Sequence, residues 1–483
     1  MRVTRFFVSF LFISTMFAVL FYGCKKDEIT TDAAAKLNFS SDSIAFDTVF
    51  STVGSITKQL KVYNRNDKAL KFDVVVKNGN SSNFRINVDG IPGTSINDVE
   101  IAPDDSTFIF IKVTVDPNDE DSPFVVSDQL LFNTNGNEQD VDLVAWGQNA
   151  YYIIADTHVE GLPPYKIVAH EFSDTTWDSR KPYLIYGYAV VDSNAILRIE
   201  DSSRIHFHNN AGLWVYKGGS LKVNGTRERP VTFQGSRLDF AYRDVPGQWD
   251  RIWINEGAVN NEINYAIIRN GFIGLQAETL QETMGNELII KNTIIENMTG
   301  IGLFTRLYNV TAENLLIDNC GNYGLALTIG GNYDFRQSTF ANYWTNSVRQ
   351  TPNLFFNNFY FDQNETAHAF DFEAYFGNCI IYGRNDEEFD FEKDDGAAFH
   401  YAFDHCLLKT EKEINDPQHY IECFKNEDPL FVDPSIFDFA IDTLSPAIDR
   451  GKMEIALEIP EDILGNSRLE SPDLGAYEFV PGR

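Results

Sequence analysis

One short phrase recurs six times between residues 265 and 410, and it constrains the fold more than any other feature of the chain. The copies begin 27, 22, 23, 41 and 27 residues apart. A unit of this length cannot bury its own apolar face, so successive units must stack into a solenoid, as the coils of a parallel β-helix do. The six copies are YAIIRN (265–270), NTIIEN (292–297), NLLIDN (314–319), QSTFAN (337–342), NCIIYG (378–383) and HCLLKT (405–410).

Alternation within the phrase predicts which side chains face the interior. The fourth position is apolar in every copy, and the second position, which is smaller, shares its face. Asparagine at the sixth position predicts a left-handed bend and hydrogen bonds between the amides of stacked copies. The fourth position holds Ile268, Ile295, Ile317, Phe340, Ile381 and Leu408, and the second holds Ala266, Thr293, Leu315, Ser338, Cys379 and Cys406.

The third position must then face outward, yet five of its six residues are aliphatic. Aliphatic side chains stacked in register would form an apolar stripe that is unusual on a free surface. We therefore predict that something covers the stripe: the N-terminal domain, the segment 343–377 or a partner protein. The residues are Ile267, Ile294, Leu316, Thr339, Ile380 and Leu407.

The N-terminus has the pattern of a secretion signal. Arg2 and Arg5 precede an apolar run over 6–22, which Gly23 and Cys24 follow. Residues 21–24 (FYGC) resemble the lipobox of a bacterial lipoprotein, and 24–28 (CKKDE) resemble the surface-export signal of Bacteroidota lipoproteins. The resemblance implies that 1–23 is a signal peptide, that Cys24 is acylated, and that the protein is anchored in the outer membrane, facing the exterior. The alternative is an uncleaved N-terminal anchor helix.

Residues 24–36 are polar and lack periodicity, which predicts a flexible tether. Residues 37–150 then alternate in short strands separated by turn clusters, which predicts a β-sandwich. The order of these strands is similar to that of the immunoglobulin-like domains that precede β-helices in Bacteroidota lipoproteins. Such a domain binds or spaces more often than it catalyses.

Residues 151–428 are predicted to form the coils. The segments GSLKVNGT (219–226), PVTF (230–233), SRL (236–238) and VPGQW (245–249) are similar to a recurrent block in right-handed parallel β-helix lipoproteins. Residues 343–377 are too long for one turn between coils. We predict that they hide an unrecognised coil rather than a loop that leaves the solenoid, because so many aromatic side chains would be costly in an exposed loop.

Residues 429–483 contain LSPAIDRG (444–451) and DLGAYEF (473–479), and DPLFVD overlaps their start at 428–433. This part closely resembles the C-terminal closing segment, called choice-of-anchor Q, of bacterial surface β-helix proteins. The resemblance implies surface display and a cap on the last coil, whose apolar edges would otherwise be exposed. The expected chain is therefore all-β: an immunoglobulin-like β-sandwich, a right-handed parallel β-helix and a C-terminal cap.

Several residues that could carry chemistry have simpler interpretations. Cys379 and Cys406 are close enough for a disulfide, but we expect reduced core thiols. His206 and His208 share a strand face, and we expect an exposed polar face rather than a metal site. The acidic stretch 386–395 predicts a solvated loop between coils rather than a calcium site. We therefore predict no metal site, no cofactor and no catalytic residue.

The net charge of −31 argues against nucleic acid as a partner and against an electrostatic grip on anionic lipid. The leading hypothesis is a lipid-anchored surface protein that binds a glycan or stands in an outer-membrane protein complex, without enzymatic activity. The rival is a polysaccharide lyase or hydrolase. Lyase chemistry needs a cation and a basic side chain on one face of stacked coils. The fifth position of the phrases offers an adjacent acid pair, Glu296 and Asp318, in the column Arg269, Glu296, Asp318, Ala341, Tyr382 and Lys409.

Overall fold

The computed structural model describes residues 28–118, 121–279 and 286–482. These residues confirm the all-β prediction, since their only α-helix has six residues. The chain divides into two compact units, Met1–Asn149 (unit 1) and Ala150–Arg483 (unit 2), close to the predicted boundary at 150/151. The predicted signal peptide and Cys24 lie outside the described residues.

The described part of unit 1 consists of two five-stranded sheets that enclose one apolar core. One sheet has the order β1-β3-β8-β5-β6 and the other the order β2-β10-β9-β4-β7. Alternate residues of each strand point into this core; in β4, for example, Leu70, Phe72, Val74 and Val76 are all buried. A 3-10 turn spans Gly79–Ser81. The strands are β1 (Asn38–Phe39), β2 (Ser43–Phe50), β3 (Lys58–Tyr63), β4 (Leu70–Val76), β5 (Phe84–Val88), β6 (Ile91–Gly93), β7 (Ser95–Ile101), β8 (Ser106–Val113), β9 (Phe124–Thr134) and β10 (Asn137–Gln148).

Part of the predicted tether is attached to unit 1. The backbone N–H of Thr30 donates to the carbonyl of Ala69 (2.9 Å), and the side-chain amide of Asn135 donates to the carbonyl of Asp32 (3.0 Å). Ala35 is buried in the core of the unit. The prediction of a flexible tether is therefore wrong for residues 28–36, and residues 24–27 lie outside the described part.

In the described part of unit 2, 24 strands form one sheet whose neighbouring strands are hydrogen-bonded in sequence. Two further pairs, β28–β29 and β37–β38, are antiparallel hairpins. A 3-10 turn spans Pro434–Ile436 and the helix α1 spans Met453–Glu458. The strands are β11 (Tyr151–Ile154), β12 (Tyr165–Ala169), β13 (Asp174–Trp177), β14 (Tyr183–Val191), β15 (Ile196–Glu200), β16 (Arg204–Val215), β17 (Ser220–Asn224), β18 (Val231–Gly235), β19 (Ile252–Ile254), β20 (Asn261–Asn264), β21 (Ala266–Arg269), β22 (Ile273–Glu278), β23 (Glu287–Met298), β24 (Ile301–Cys320), β25 (Leu325–Arg336), β26 (Thr339–Asn342), β27 (Leu354–Asn357), β28 (Phe359–Phe361), β29 (Ala367–Ala369), β30 (Phe372–Gly377), β31 (Ile380–Gly383), β32 (Phe389–Glu392), β33 (Phe399–Asp404), β34 (Leu407–Leu408), β35 (Tyr420–Ile421), β36 (Phe424–Lys425), β37 (Phe431–Asp433) and β38 (Asp438–Ile441).

The repeated phrases stack in register, each phrase pairing in parallel with the next. The third positions pair from Ile267 to Ile294 and on through Leu316, Thr339 and Ile380 to Leu407. The chain therefore returns to the same place once per repeat and adds a strand to each of three strips. The phrases form the third strip, and the strands just before them form the second. The second and fourth positions are buried in one long core, which confirms the predicted orientation.

Asparagine shapes both ends of the phrase. At the sixth position, Asn270, Asn297 and Asn319 have positive φ, as predicted, and the side-chain amide of Asn297 donates to Oδ1 of Asn270 (2.7 Å). The first position also has positive φ in all six copies, which the sequence analysis did not predict. A left-handed residue therefore precedes the strand in all six copies and follows it in the first three, but the predicted bend is wrong at Asn342, whose φ is not positive. Asparagine adopts the left-handed conformation at lower cost than most residues do.

The segment 343–377 contains the predicted hidden coil. Its strands β27 and β30 both pair in parallel with β25, and a hairpin of β28 and β29 leaves the coil between them. The acidic stretch 386–395 is different from the prediction, because β32 lies within it and pairs with β27. Glu388 beside this strand is buried and accepts a hydrogen bond from Arg349 (2.8 Å). The prediction of a solvated loop is therefore wrong for this part of the stretch.

The C-terminal segment (429–483) lies along the side of the coils and not across the last coil alone. Leu316, Ile380 and Leu407 of the third position pack in one cluster with Phe439 and Leu474 of this segment. The apolar stripe is thus real, and from Ile294 to Leu407 it is covered by the C-terminal segment, a cover that the sequence analysis did not predict. Further contacts hold the segment along this side: the backbone N–H of Ala476 donates to Thr339 Oγ1 (2.9 Å), the side-chain amide of Asn314 to the carbonyl of Glu461 (3.0 Å), and Lys452 Nζ to Asp404 (2.7 Å). The prediction of an end cap is wrong in this respect.

Candidate functional site

The second strip has an outward face that bears a groove of about 710 Å³. We call it the polar groove. It crosses strands β23, β24, β25 and β30, which lie side by side. Its lining consists of Asn286, Glu287, Asn309, Val310, Thr311, Asn332, Tyr333, Asp334, Arg336, Glu373 and Tyr375.

Strand alternation places two columns of polar side chains on this face. The inward neighbours Val310, Ala312, Tyr333 and Phe335 are buried in the core, so the residues between them point outward. Because the strands are in register, outward residues of successive coils stack into columns. One column is Glu287, Asn309, Asn332 and Glu373, and the other is Thr311, Asp334 and Tyr375.

The middle of the first column is a ladder of amides. Nδ2 of Asn332 donates to Oδ1 of Asn309 (3.0 Å), and Nδ2 of Asn309 lies 3.4 Å from Oδ1 of Asn286. Each primary amide has two N–H donors and a two-lone-pair acceptor, so these contacts leave hydrogen-bonding capacity on the open side of the ladder. The ladder can therefore both donate to and accept from a polyhydroxylated ligand.

Arg336 is held on both sides. Its Nε and Nη2 donate to the two carboxylate oxygens of Asp334 (2.9 and 3.0 Å), and its Nη1 pairs with Glu458 at the end of α1. The hydrogen bonds that Arg336 donates to Asp334 are the main cause of a raised pKa for Arg336. Among the described lining residues Arg336 carries the only formal positive charge, and that charge is already balanced.

A hydrogen bond to the next coil positions Tyr375. Its hydroxyl donates to Asp404 (2.9 Å), which also accepts from Lys452 of the C-terminal segment (2.7 Å). Burial raises the pKa of Tyr375 well above its usual value. Burial would also raise the pKa of Asp404, but the hydrogen bonds from Lys452, His405 and Tyr375 outweigh it and lower that pKa. A neutral Tyr375 of the lining therefore donates to an ionised Asp404 of the next coil.

Arg336 does not have the surroundings of a lyase's base. A lyase needs a free base beside a cation that neutralises the substrate's carboxylate, whereas Arg336 is engaged by two carboxylates. The described residues also contain no group of three histidine, cysteine, aspartate or glutamate side chains that could hold a metal ion.

The structure does bring together the acid pair predicted at the fifth position. Glu296 and Asp318 are paired in register, and Arg269 Nε lies 3.1 Å from Glu296 Oε1. Both carboxyl groups are buried, however, and Asp318 is only 1% exposed. Burial, followed by the charge of Glu296, raises the pKa of Asp318 well above its usual value.

The rest of that column is closed to a polymer. Ala341 and Tyr382 pack in the cluster beneath the C-terminal segment, and Lys409 Nζ donates to the carbonyl of Gly383 (3.0 Å). The column that suggested a lyase is therefore buried from Glu296 to Tyr382, and its two ends, Arg269 and Lys409, are partly exposed.

The two histidines and two cysteines that the sequence analysis considered have structural surroundings that explain them. His206 is buried, with Nδ1 3.3 Å from the carbonyl of Gly235, and burial lowers its pKa to about 4. The prediction of an exposed polar face is therefore wrong for His206, whereas His208 is exposed and its ring contacts that of Tyr186, with the centroids 4.5 Å apart. Cys379 and Cys406 are free and buried, and burial raises the pKa of the Cys406 thiol, which makes it a poor nucleophile.

The sequence analysis did not identify the groove residues, because it aligned only the phrases of the third strip. A usable signal was present. Asn286, Asn309 and Asn332 recur at exact intervals of 23 residues, which matches the spacing of the phrases beside them. Asparagine at one repeat position outside the phrase thus indicates a ladder on a second face.

Comparisons with known proteins give little guidance. No protein-family model matches the chain, and no curated protein matches it. A solved structure of a family 123 glycoside hydrolase from Clostridium perfringens, described for glycolipid glycan hydrolysis, is 8% identical over 24% of this chain and 30% of that one, with a TM-score of 0.17. WR4, a C. elegans MSP family member, is 10% identical over 23% of this chain and 98% of its own, with a TM-score of 0.16. At these TM-scores neither structure supports an argument about fold or function.

One further observation concerns the membrane. Within the residues that the structure describes, none of the helices has the length and apolar character needed to cross a bilayer.

Proposed function

We propose that this chain is a lipid-anchored protein of the outer-membrane surface that binds a glycan without altering it chemically. The observation that carries the proposal is the polar groove: a long, open face on which two stacked amides lie between two carboxylates in register, with an aromatic side chain at one end. Small-ligand sites are concave and contain a few polar groups in fixed positions, and stacked coils fix these positions through the backbone.

The proposal includes a specific fold. Unit 1 is an immunoglobulin-like β-sandwich, which its two packed sheets and shared core support. Unit 2 is a right-handed parallel β-helix, which the in-register return of the phrases supports. The lipid anchor rests on the sequence alone, namely the apolar run over 6–22 followed by Cys24.

Two observations weaken the alternatives. The apolar stripe that suggested a protein partner is occupied by the chain's own C-terminal segment. The fifth-position column that suggested a lyase is buried from Glu296 to Tyr382, and the groove's Arg336 is bound to Asp334. Glycan binding is therefore the function that requires neither a free apolar stripe nor a free basic side chain.

A glycan microarray tests the proposal, with the full chain purified in detergent and labelled. We expect binding to a restricted set of glycans, and Asn309→Ala with Asn332→Ala to abolish most of the signal because both remove ladder amides. Asn415→Ala, an exposed asparagine outside the groove, is the matched control. Equal loss with the control variant, or no binding to any glycan, would refute the proposal. Turnover of a uronate polysaccharide in the presence of calcium, seen as ultraviolet-absorbing unsaturated products, would replace it with the lyase.

A further inference from the structure

The polar groove runs across strands and not along one of them. Glu287, Asn309, Asn332 and Glu373 occupy four strands that pair consecutively, one residue per strand. Neighbouring strands are about 4.8 Å apart, so three steps separate the Cα atoms of Glu287 and Glu373 by about 14 Å. A ligand that follows this column therefore lies extended along the stacking axis of the coils and contacts one side chain per coil.

The lining of the groove has more negative than positive side chains. Its lining contains the carboxylates of Glu287, Asp334 and Glu373. Asp334 is paired with Arg336, which is also paired with Glu458. Glu287 and Glu373 are exposed, and among the described residues the structure gives neither carboxylate a hydrogen bond or ion pair. Among the described residues, no ion pair therefore neutralises the carboxylate at either end of the amide ladder; beyond Glu373 the next residue of the column is His400.

This arrangement distinguishes between classes of glycan. A polyuronate would place its own carboxylates against Glu287 and Glu373, and like charges in a binding site oppose association. A neutral glycan could bond to Asn309 and Asn332 but would leave both glutamates without a counter-charge. A glycan with free amino groups satisfies both parts, because ammonium groups form charge-assisted hydrogen bonds to carboxylates while hydroxyls bond to the amides.

We propose that the ligand is an oligosaccharide that bears free amino groups and lies along the stacking axis, an inference that rests on the proposed function. Its ammonium groups contact Glu287 and Glu373, and its hydroxyls contact Asn309 and Asn332. The backbone register sets the spacing between the two carboxylates, so the spacing of amines along the ligand is part of the recognition.

The inference is tested by isothermal titration calorimetry on the full chain in detergent, at mildly acidic pH. The probes are an oligomer of glucosamine, the same oligomer fully N-acetylated, and an oligogalacturonate of equal length. We expect the free-amine oligomer to bind about tenfold more tightly than its acetylated form, to lose affinity as salt is added, and the oligogalacturonate not to bind. Glu287→Gln and Glu373→Gln should each lower the affinity for the free-amine oligomer by about fivefold, whereas Glu392→Gln, an exposed carboxylate outside the groove, should leave it unchanged.

The outcomes separate the two proposals. Equal affinity for the free-amine and acetylated oligomers, with silent glutamine variants, would overturn the amine inference and leave glycan binding in place. Tight binding of the oligogalacturonate would also overturn it. Failure of all three probes, together with an empty microarray, would remove the proposed function itself. The glutamates are exposed, so their glutamine variants should melt as the wild type does, which excludes misfolding as the cause of a loss.

Discussion

Replacing Leu316 with alanine tests the covered stripe most directly. Leu316 belongs to the third position of its phrase, faces away from the coil interior and is 1% exposed. Its neighbours in the cluster include Phe439 and Leu474 of the C-terminal segment. The substitution therefore removes apolar contact between the coils and that segment, and leaves the long core inside the coils intact.

The expected loss follows from the atoms removed. Leucine to alanine deletes three carbons, and at ~0.8 kcal/mol for each buried methylene the transfer contribution is about 2.4 kcal/mol. The cavity that remains adds to this, since measured Leu→Ala changes in packed sites range from about 2.7 to 5.0 kcal/mol. We expect a loss of about 3 kcal/mol in the free energy that holds the C-terminal segment to the coils.

Two assays and two controls isolate the effect. Denaturant unfolding should show the loss of stability, and limited proteolysis should show faster cleavage within 429–483. Leu444→Ala, at a position that is 81% exposed, should change stability by less than ~0.5 kcal/mol. Ile317→Ala, in the interior core, should destabilise the coils without selectively releasing the C-terminal segment. If Leu316→Ala behaves like Leu444→Ala in both assays, the segment does not pack on the stripe and the argument fails.

Three further predictions concern other parts of the chain. The pKa of Asp318 is raised in the folded state, so its contribution to stability is present at low pH and is lost as pH rises through that folded pKa; Asp318→Asn should flatten the decline of the melting temperature over that pH range, and an unchanged profile would contradict this. Arg349→Met should cost about 3–5 kcal/mol by leaving Glu388 buried without its partner, and adding Glu388→Gln should restore part of that in denaturant unfolding; purely additive losses would argue against the pair. Cys24→Ser should move the protein out of carbonate-washed membranes because acylation is lost; retention would indicate a different attachment.

Local patterns in the sequence were sufficient for the geometry of a single repeat. Alternation within the phrase predicted that Ile268 and Ile295 face the interior, because the side-chain period of a strand is two whatever lies around it. Asparagine at 270, 297 and 319 predicted left-handed bends for an equally local reason, the low cost of positive φ at that residue. The hidden coil within 343–377 was predictable from the cost of exposing its aromatic side chains.

The tertiary structure alone decided what covers each outward face. The third-position residues Leu316 and Ile380 were correctly predicted to need a cover, but the cover comes from residues such as Ala476, which bonds to Thr339 across 137 positions of sequence. The burial of His206 has the same origin. Alternation determines the side to which a residue points; whether a distant segment then lies over that side depends on complementary surfaces that no local period records. For this reason the sequence predicted the coils and their orientation, whereas the open groove on the second strip and the closed stripe on the third became visible only in the folded chain.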